Sequence, residues 1–508
     1  MELFCTGSPP VSPFGKGFLL RLRILPICLA LLTGDSCVSP SREGLPVGSP
    51  FPPQASLNDQ ELPDGTAVGD VTSHSAVLWL KTNGPKQVQV EWASVQAWKT
   101  FSAMASVQSA AARTPVLATG AATDFALSIP LDPLSPGTRY RYYIVLSEPE
   151  SGQSASRHVA AQGEFTTLPD AATSAPVTFA WSGDLGGQLR CRQGPDGYPI
   201  FDTIRMQHPD FFIFLGDTIY SDHLCPSPPN EPGANFVAKT LSEYRARHHY
   251  QRGAPPLRRL LETVPVYVTW DDHEVKNNFS GPFEPQMPAG RQALQEYWPI
   301  HTDPSDPHRL YRNVRSGSDL ELFFLDTRQY RSRNADPDGP AKTMLGGPQL
   351  RWLLDGLSAS TATWKVIVTS VPLSVPKAGG LAGPGYDGWA GGTDGTGFER
   401  ERQVIVDAIL KHKLKHVIFL AGDIHWVQAN IYDPDQDGAP DFHEFVAGPL
   451  SARLGPPTAP AATLHPATLI NEGGYDNFGL VHVTKESFEV SVIDVTGKTR
   501  FSHRILAR

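Results

Sequence analysis

The sequence predicts a small all-β module over 62–168 followed by a larger α/β domain over 176–508. Three observations predict it. Residues 62–168 alternate polar and apolar side chains, as in Gln87-Val88-Gln89-Val90-Glu91-Trp92, the period-two pattern of a half-buried strand. Beyond residue 176 the apolar runs become continuous and helical stretches fall between them, as expected of strands buried on both faces. Those runs end in acidic or polar residues, and ligands in α/β folds gather beyond the carboxyl ends of the strands.

Taken in order, Lys16, Arg21 and Arg23 precede an apolar run, 24–32, that is too short to span a bilayer. The segment 1–37 therefore reads as a secretion signal, with a buried N-terminal helix as the alternative. Cys37, in Leu-Leu-Thr-Gly-Asp-Ser-Cys37, is a candidate lipid anchor, although Asp35 fits the small-residue box of such signals poorly. Residues 38–61, rich in Pro, Ser and Gly, read as a flexible tether. The expected location is exported: periplasmic, secreted, or an outer-surface lipoprotein. Within 62–168, Val77-Leu78-Trp79-Leu80 and 140–146 are further β-rich runs, and about seven such runs suggest a β-sandwich. Residues 168–176 read as a linker.

The α/β strands are expected at 177–184, 211–217, 264–271, 320–326, 366–369 and 416–423, with helices at 349–357 and 398–412. Glycine-rich stretches at 379–397 and around Gly281 read as long loops. Strands at 478–483 and 488–495 close the domain. The net charge of −9 argues against broad nucleic-acid binding. It also means that an anionic ligand needs bound cations or local arginines. Cys191 and Cys225 can pair in an oxidising compartment, which spacing alone does not establish.

Asp184, Asp217 and Asp423 each follow a buried run, and His425 stands two residues after the last. One such Asp reads equally well as a helix cap. Three together, with the histidine, point to bound metal ions, because converging carboxylates repel unless a cation sits among them. The run Trp270-Asp271-Asp272-His273-Glu274-Val275-Lys276-Asn277-Asn278 places four ionisable residues after a buried strand, which is costly unless they ligate or catalyse. A solvated turn is the alternative.

With these segments in hand, the chain resembles the PhoD-like alkaline phosphatase/phosphodiesterase family of the calcineurin-like metallophosphoesterase superfamily. The resemblance rests on the ordered set Gly-Asp184, Gly-Asp217-Thr-Ile-Tyr220, Asp271 to Asn278, and Gly-Asp423-Ile-His425, and it runs from about residue 62 to the end. Leu325-Asp-Thr-Arg328-Gln-Tyr-Arg331 and Leu345-Gly-Gly-Pro-Gln349-Leu-Arg-Trp352 extend it. It implies a four-layer metallophosphoesterase-like β-sandwich with flanking helices, preceded by a fibronectin/Ig-like domain. It implies hydrolysis of phosphate esters by a hydroxide generated at a pair of cations. Asp217 is expected to bridge two metals. Tyr220, Asp184, Asp423 and His425 are expected to complete one shell, and Asp272 with Asn278 to serve the other. His273 is expected to contact phosphate or protonate the leaving oxygen, with Asp271 and Glu274 behind the ligands. Arg190 and Arg192 are candidates to hold phosphate, with surface solvation as the alternative.

The chain departs from the family at three places. Asp184 stands where relatives often have cysteine. Thr369-Ser370 stands where the wider superfamily has a metal-binding histidine, and Gly-Asp-x-His replaces Gly-His-x-His. An oxygen-rich site with one imidazole suits hard ions, so iron and calcium are expected, with manganese or zinc as alternatives. A separate stretch, 433–444, matches the DxDxDGx₅E calcium pattern through Asp433, Asp435, Asp437 and Glu444, but strand-like segments flank it. It reads as an acidic hairpin turn that holds a structural Ca²⁺. The substrate is expected to be a phosphate-ester small molecule or a phosphodiester, phospholipid and polymer included, without specific nucleic-acid recognition. A purple acid phosphatase is a further, weaker enzymatic rival. The reading from another class is an inactive surface- or carbohydrate-binding module.

Overall fold

The computed structural model describes residues 60–97, 111–149, 157–194, 196–378 and 383–507. The signal segment, Cys37, most of the tether and 379–382 of the glycine-rich loop lie outside the described residues.

The continuous apolar runs form two parallel blocks. In one, Val177–Ser182, Phe211–Phe214 and Val266–Val268 lie side by side. In the other, Leu320–Phe324, Trp364–Val368, Val417–Ala421 and Phe442–Val446 do so. These strands have no polar face because both of their faces are covered. The inner faces share one apolar core, in which Phe179, Phe211 and Ile213 meet Leu322, Val366 and Ile418. The outer face of the first block packs on the helices Ile200–Met206, Pro255–Thr263 and Met287–Tyr297. That of the second packs on Gly346–Ala359 and Glu399–Lys411, which contain the helices expected at 349–357 and 398–412 to within a residue. The result is helix, sheet, sheet, helix: the four layers expected.

Antiparallel strands extend both blocks. Asn477–Val483, Ser487–Asp494 and Thr499–Leu506 continue the first, and the last of these was not apparent in the sequence. The all-β segment contributes Thr66–Gly69, Ala76–Lys81 and Ala126–Leu131 to the opposite end of that nine-stranded sheet. Its remaining strands, including Gln87–Ser94, Arg139–Ser147 and His158–Thr166, form a five-stranded sheet facing them.

The join depends on Gly69, which pairs in parallel with Val266. A Cβ on residue 69 would lie 2.4 Å from the Val266 carbonyl oxygen and 2.5 Å from a Pro299 side-chain carbon, so the strand ends meet only because the residue is glycine. The buried Asp70 then accepts from Arg312 at 2.6 and 3.0 Å and from the His301 amide at 2.7 Å. Arg252 stacks between Trp79 and Trp298, 4.0 and 4.5 Å from the ring centroids. A period-two pattern reports which face of a strand is buried. It carries no information about which distant strand will become its neighbour.

Cys191 and Cys225 form a buried disulfide, with Cα atoms 5.9 Å apart. It ties the loop that follows Asp184 to the loop that follows Tyr220. No helix among the described residues is long and apolar enough to cross a membrane.

Candidate metal centre

The two parallel blocks present their carboxyl ends at the same edge of the core, and the candidate residues occupy the turns there. Gly216 lets two of those ends approach: a Cβ on it would fall 2.3 Å from the Asp271 nitrogen. Asp184, Asp217, Asn278, Asp423 and His425 all have left-handed backbones, with φ of 64°, 51°, 56°, 70° and 61°. Few non-glycine residues adopt that region, and each instance costs on the order of 1–3 kcal/mol. Five together, all with ligand-type side chains, mark a site where side-chain direction outweighs backbone comfort.

Two groups of donors result. Asp184, Asp217 and His425 bring one ligand atom each within 4.8 Å of one another. The Tyr220 hydroxyl joins them, 2.9 Å from His425 Nε2. His425 Nδ1 is held by the Arg453 carbonyl, which leaves Nε2 facing the group. The second group is Asp271, Asp272 and Asp423, again within 4.8 Å. Asp423 thus lies with Asp272 in this arrangement, although the sequence assigned it to the shell of Tyr220 and His425. Asp217 lies between the two groups: it accepts from the His273 amide at 3.0 Å and also clusters with Asp272 and His273. Asn278 donates its amide to Asp272 at 2.7 Å. Thr369 and Ser370 are spent internally, on the Val371 carbonyl and the Thr327 hydroxyl.

The fit of this site to metal ions is visible in its unmet bonds. Asp184 Oδ2, Asp272 Oδ1, Asn278 Oδ1 and Asp423 Oδ2 are buried and have no hydrogen-bond partner. Such orphans are rare because a buried acceptor without a donor costs about 1–3 kcal/mol. Burial, followed by the charges of Asp272, Asp271, Glu274 and Asp184, pushes the Asp217 carboxyl well above the usual range. Burial likewise lifts Asp423, against the pull of Lys377. It lifts the Tyr220 phenol too, helped by Asp217 and Asp184. Burial also opposes charge on Asp272, yet His273, Arg328 and Lys377 hold its carboxyl well below the usual range.

Buried carboxyl groups outnumber the cations that touch them. Asp184, Asp217, Asp271, Asp272, Glu274, Asp387 and Asp423 are all buried, and Arg328, Arg331 and Lys377 pair with Asp271, Asp387 and Asp423. An excess of carboxyl groups at one site favours bound cations.

Several residues support the ligands, and three of them, Asp387, Lys377 and Asp222, were not picked out from the sequence. Asp387, in the glycine-rich loop, accepts from Arg328 at 2.7 and 2.9 Å, from Arg331 at 2.8 Å and from Asn334 at 2.9 Å. Arg328 donates its Nε–H to Asp271 at 2.6 Å. Glu274 ties the strand ends together by accepting from the amides of Asp217, Thr218 and Asp271. Lys377 pairs with Asp423. Asp222 holds His273 Nδ1 at 2.7 Å and His223 Nδ1 at 3.0 Å through the same oxygen. The His273 ring stacks on Tyr220 with centroids 4.1 Å apart. Burial works against a cation on His273, but Asp222 and Asp272 raise its pKa to about 9.

Other candidates are placed differently. Arg190 is engaged by Asp476 at 2.8 and 2.7 Å and by the Ala452 carbonyl at 2.6 Å. Arg192 donates to the Tyr250 carbonyl and stacks on that ring. Both arginines brace the wall of the site. In the acidic hairpin the oxygens that converge belong to Asp433, Asp435 and Asp441. Glu444 is not among them. It sits on the strand Phe442–Val446, buried between the sheet and its helices, and accepts from the Tyr432 hydroxyl at 2.5 Å and the Leu373 amide at 2.6 Å. A β-strand at 442–446 turns residue 444 inward, where a calcium-binding helix would have turned it toward the loop. Asp437 accepts from the Ala439 amide, within the turn.

The chain is similar in sequence and fold to known phosphatases. Residues 185–492 match the model of the PhoD-like phosphatase family, and residues 48–169 match that of the PhoD-like phosphatase N-terminal domain. The chain is 30% identical over 410 residues to alkaline phosphatase D of Bacillus subtilis (strain 168). That match covers 71% of this chain and 64% of the relative, so the chain spans less than two thirds of the relative's length. A solved structure of PhoD superposes with a TM-score of 0.68 at 24% identity, covering 89% of this chain and 90% of that one. A purple acid phosphatase from yellow lupin (Lupinus luteus) seeds shares the fold at a TM-score of 0.59 and 12% identity, covering 88% and 75%. The family model spans more than half of the sequence and includes nearly every residue of the site, and the chain belongs to the PhoD-like phosphatase family.

Proposed function

We propose that this chain is a metal-dependent phosphoric ester hydrolase, and that its metals are held by Asp184, Asp217, Tyr220, Asp272, Asn278, Asp423 and His425. The observation that carries the reading is the set of buried, unpartnered oxygens on Asp184, Asp272, Asn278 and Asp423, with Asp184 and Asp272 each clustering with Asp217 and Asp423 clustering with Asp272. Cations bound there would supply Lewis acidity toward phosphoryl oxygens and an activated water for attack on phosphorus.

The chain's own residues do the rest. Asp217 sets the spacing of the two ligand groups. The donor set favours iron beside Tyr220 and His425, where a phenolate and an imidazole meet carboxylates, and calcium beside Asp272, Asn278 and Asp423, which offer only oxygen. His273, with Nδ1 fixed by Asp222, keeps Nε2 for the substrate and delivers the proton that the leaving oxygen needs. Lys377 provides a fixed positive charge at the same edge. Export is supported by the basic and apolar segment at 16–32 and by the disulfide, since such bonds persist in oxidising compartments.

The test is hydrolysis of p-nitrophenyl phosphate and bis-p-nitrophenyl phosphate by chelator-stripped protein, with Fe³⁺, Ca²⁺, Mn²⁺ and Zn²⁺ restored singly and in pairs. Turnover should vanish on stripping and return best with iron and calcium together. The ratio of the two rates assigns monoester or diester preference. Folded protein that turns over neither ester with any metal would contradict the proposal.

A further inference from the structure

The Asp222–His273 pair borders a groove that the metal centre does not use. It encloses about 470 Å³ and is lined by Asp222, His223, Val237, Lys239, Lys276 and Gln286, among others. A volume of this size accommodates a small organic ligand. The His223 ring, one wall of the groove, lies 5.1 Å from His273 and 5.8 Å from Tyr220 between centroids. A substrate whose leaving oxygen meets His273 therefore has a wall of the groove one ring away.

Two lysines, Lys239 and Lys276, line this groove in a protein of net charge −9. The Asp222 oxygens are already engaged: one by both histidines, the other by the Asn277 amide at 2.9 Å. Glu243 accepts from the amides of Lys239 and Thr240 and from the Thr240 hydroxyl, as the acidic member of the capping box that Thr240 opens on the helix Leu241–Arg252. The Lys239 ammonium makes no close ion pair among the described residues, and the Glu243 charge lies nearby. Lys276 has only a loose contact with Glu284, at 3.6 Å, and more than half of its side chain is exposed. Such a pair contributes little and yields readily to a better anion. Val237, 38% exposed, adds an apolar surface to the same groove.

We infer that this groove is a leaving-group subsite that selects phosphate esters whose alcohol portion carries a terminal oxyanion, a carboxylate or a second phosphate, held by Lys239 and Lys276. The inference rests on the phosphoesterase reading. It adds that the alcohol portion is recognised through its charge, with a short apolar stretch lying over Val237.

The test uses the full, metal-restored chain and three esters: hexyl phosphate, 6-(phosphonooxy)hexanoate and hexane-1,6-diol bisphosphate. Phosphate release from at least one of the two oxyanion-bearing esters should exceed that from hexyl phosphate by about tenfold in kcat/KM, after allowing for the two ends of the bisphosphate. The double substitution K239A/K276A should remove that preference through KM, and K239R/K276R should keep it. Preference for one tail over the other identifies which oxyanion the groove takes. Equal kcat/KM for all three esters, or a preference that survives K239A/K276A, would overturn the inference. Failure of the phosphoesterase reading looks different: none of the three esters turns over. In that event calorimetric binding of hexane-1,6-diol bisphosphate decides, and an unchanged Kd in K239A/K276A would overturn the subsite on its own.

Discussion

Asp217→Asn should lower kcat/KM for p-nitrophenyl phosphate by about 10³-fold or more and strip the protein of both ions, while leaving it folded. Removal of a single fixed group that stabilises transition-state charge commonly costs 10²–10³, and here the loss extends to the ions themselves. Among the described residues, Asp217 is the carboxylate that clusters with Asp184 and His425 on one side and with Asp272 and His273 on the other. Its backbone adopts a left-handed turn, and Glu274 holds its amide at 3.1 Å. An asparagine there keeps the shape and tolerates that turn, but it removes the charge that two cations would share under the proposed function. Stability should not suffer in the metal-free state, because the native carboxyl is already pushed above its usual range by burial and by four neighbouring carboxylates. Element analysis of the purified variant, circular dichroism and ester kinetics read the three parts separately. A variant that retained both ions at full occupancy would remove Asp217 from the bridging position.

Asp222→Asn should reduce kcat by about 10²-fold for esters of poorly acidic alcohols and far less for p-nitrophenyl phosphate, whose leaving group needs no proton. Asp222 does not belong to either ligand group. It holds His273 Nδ1 at 2.7 Å and so determines both the orientation of the ring and the nitrogen that carries the transferable proton. Despite burial, which favours the neutral ring, Asp222 and Asp272 raise the pKa of His273 to about 9. The sign follows directly. A proton donor acts only while protonated, so activity falls as pH rises through its pKa. In the native protein that alkaline fall is expected near pH 9. With asparagine at 222 the largest raising influence is lost, the pKa drops, and the fall moves to lower pH. Profiles of kcat against pH for an alkyl phosphate decide it. An alkaline limb that stays in place would show that another group supplies the proton.

Much of this site was legible as sequence because its residues follow a local rule. An apolar run buried on both faces must end in a turn, and the residue at that turn faces the ligand edge. Asp184, Asp217, Asp272 and Asp423 could therefore be picked out from their neighbours alone. Asp387 could not, because it reaches the site from a glycine-rich loop with no periodicity, and only the folded contacts with Arg328, Arg331 and Asn334 reveal it. Asp222 was within reach: it lies two residues past Tyr220, where a strand-end loop still faces the site. Glu444 illustrates the opposite error. A motif read as spacing alone placed it in a calcium loop, while the strand that carries it turned its carboxylate into the core beside Tyr432. Arg190 likewise lies close in sequence to Asp184, yet Asp476, 286 residues away, claims its guanidinium. Non-local pairing also decided the fate of the N-terminal strands, which joined the large sheet through the contact of Gly69 with Val266.

The most direct test of the metal assignment is a crystal of the metal-restored protein measured at the iron absorption edge and at long wavelength for calcium. Two anomalous peaks are predicted, one among Asp184, Asp217, Tyr220 and His425 and one among Asp217, Asp272, Asn278 and Asp423. Peaks elsewhere, or no peak within bonding distance of Asp217, would contradict it.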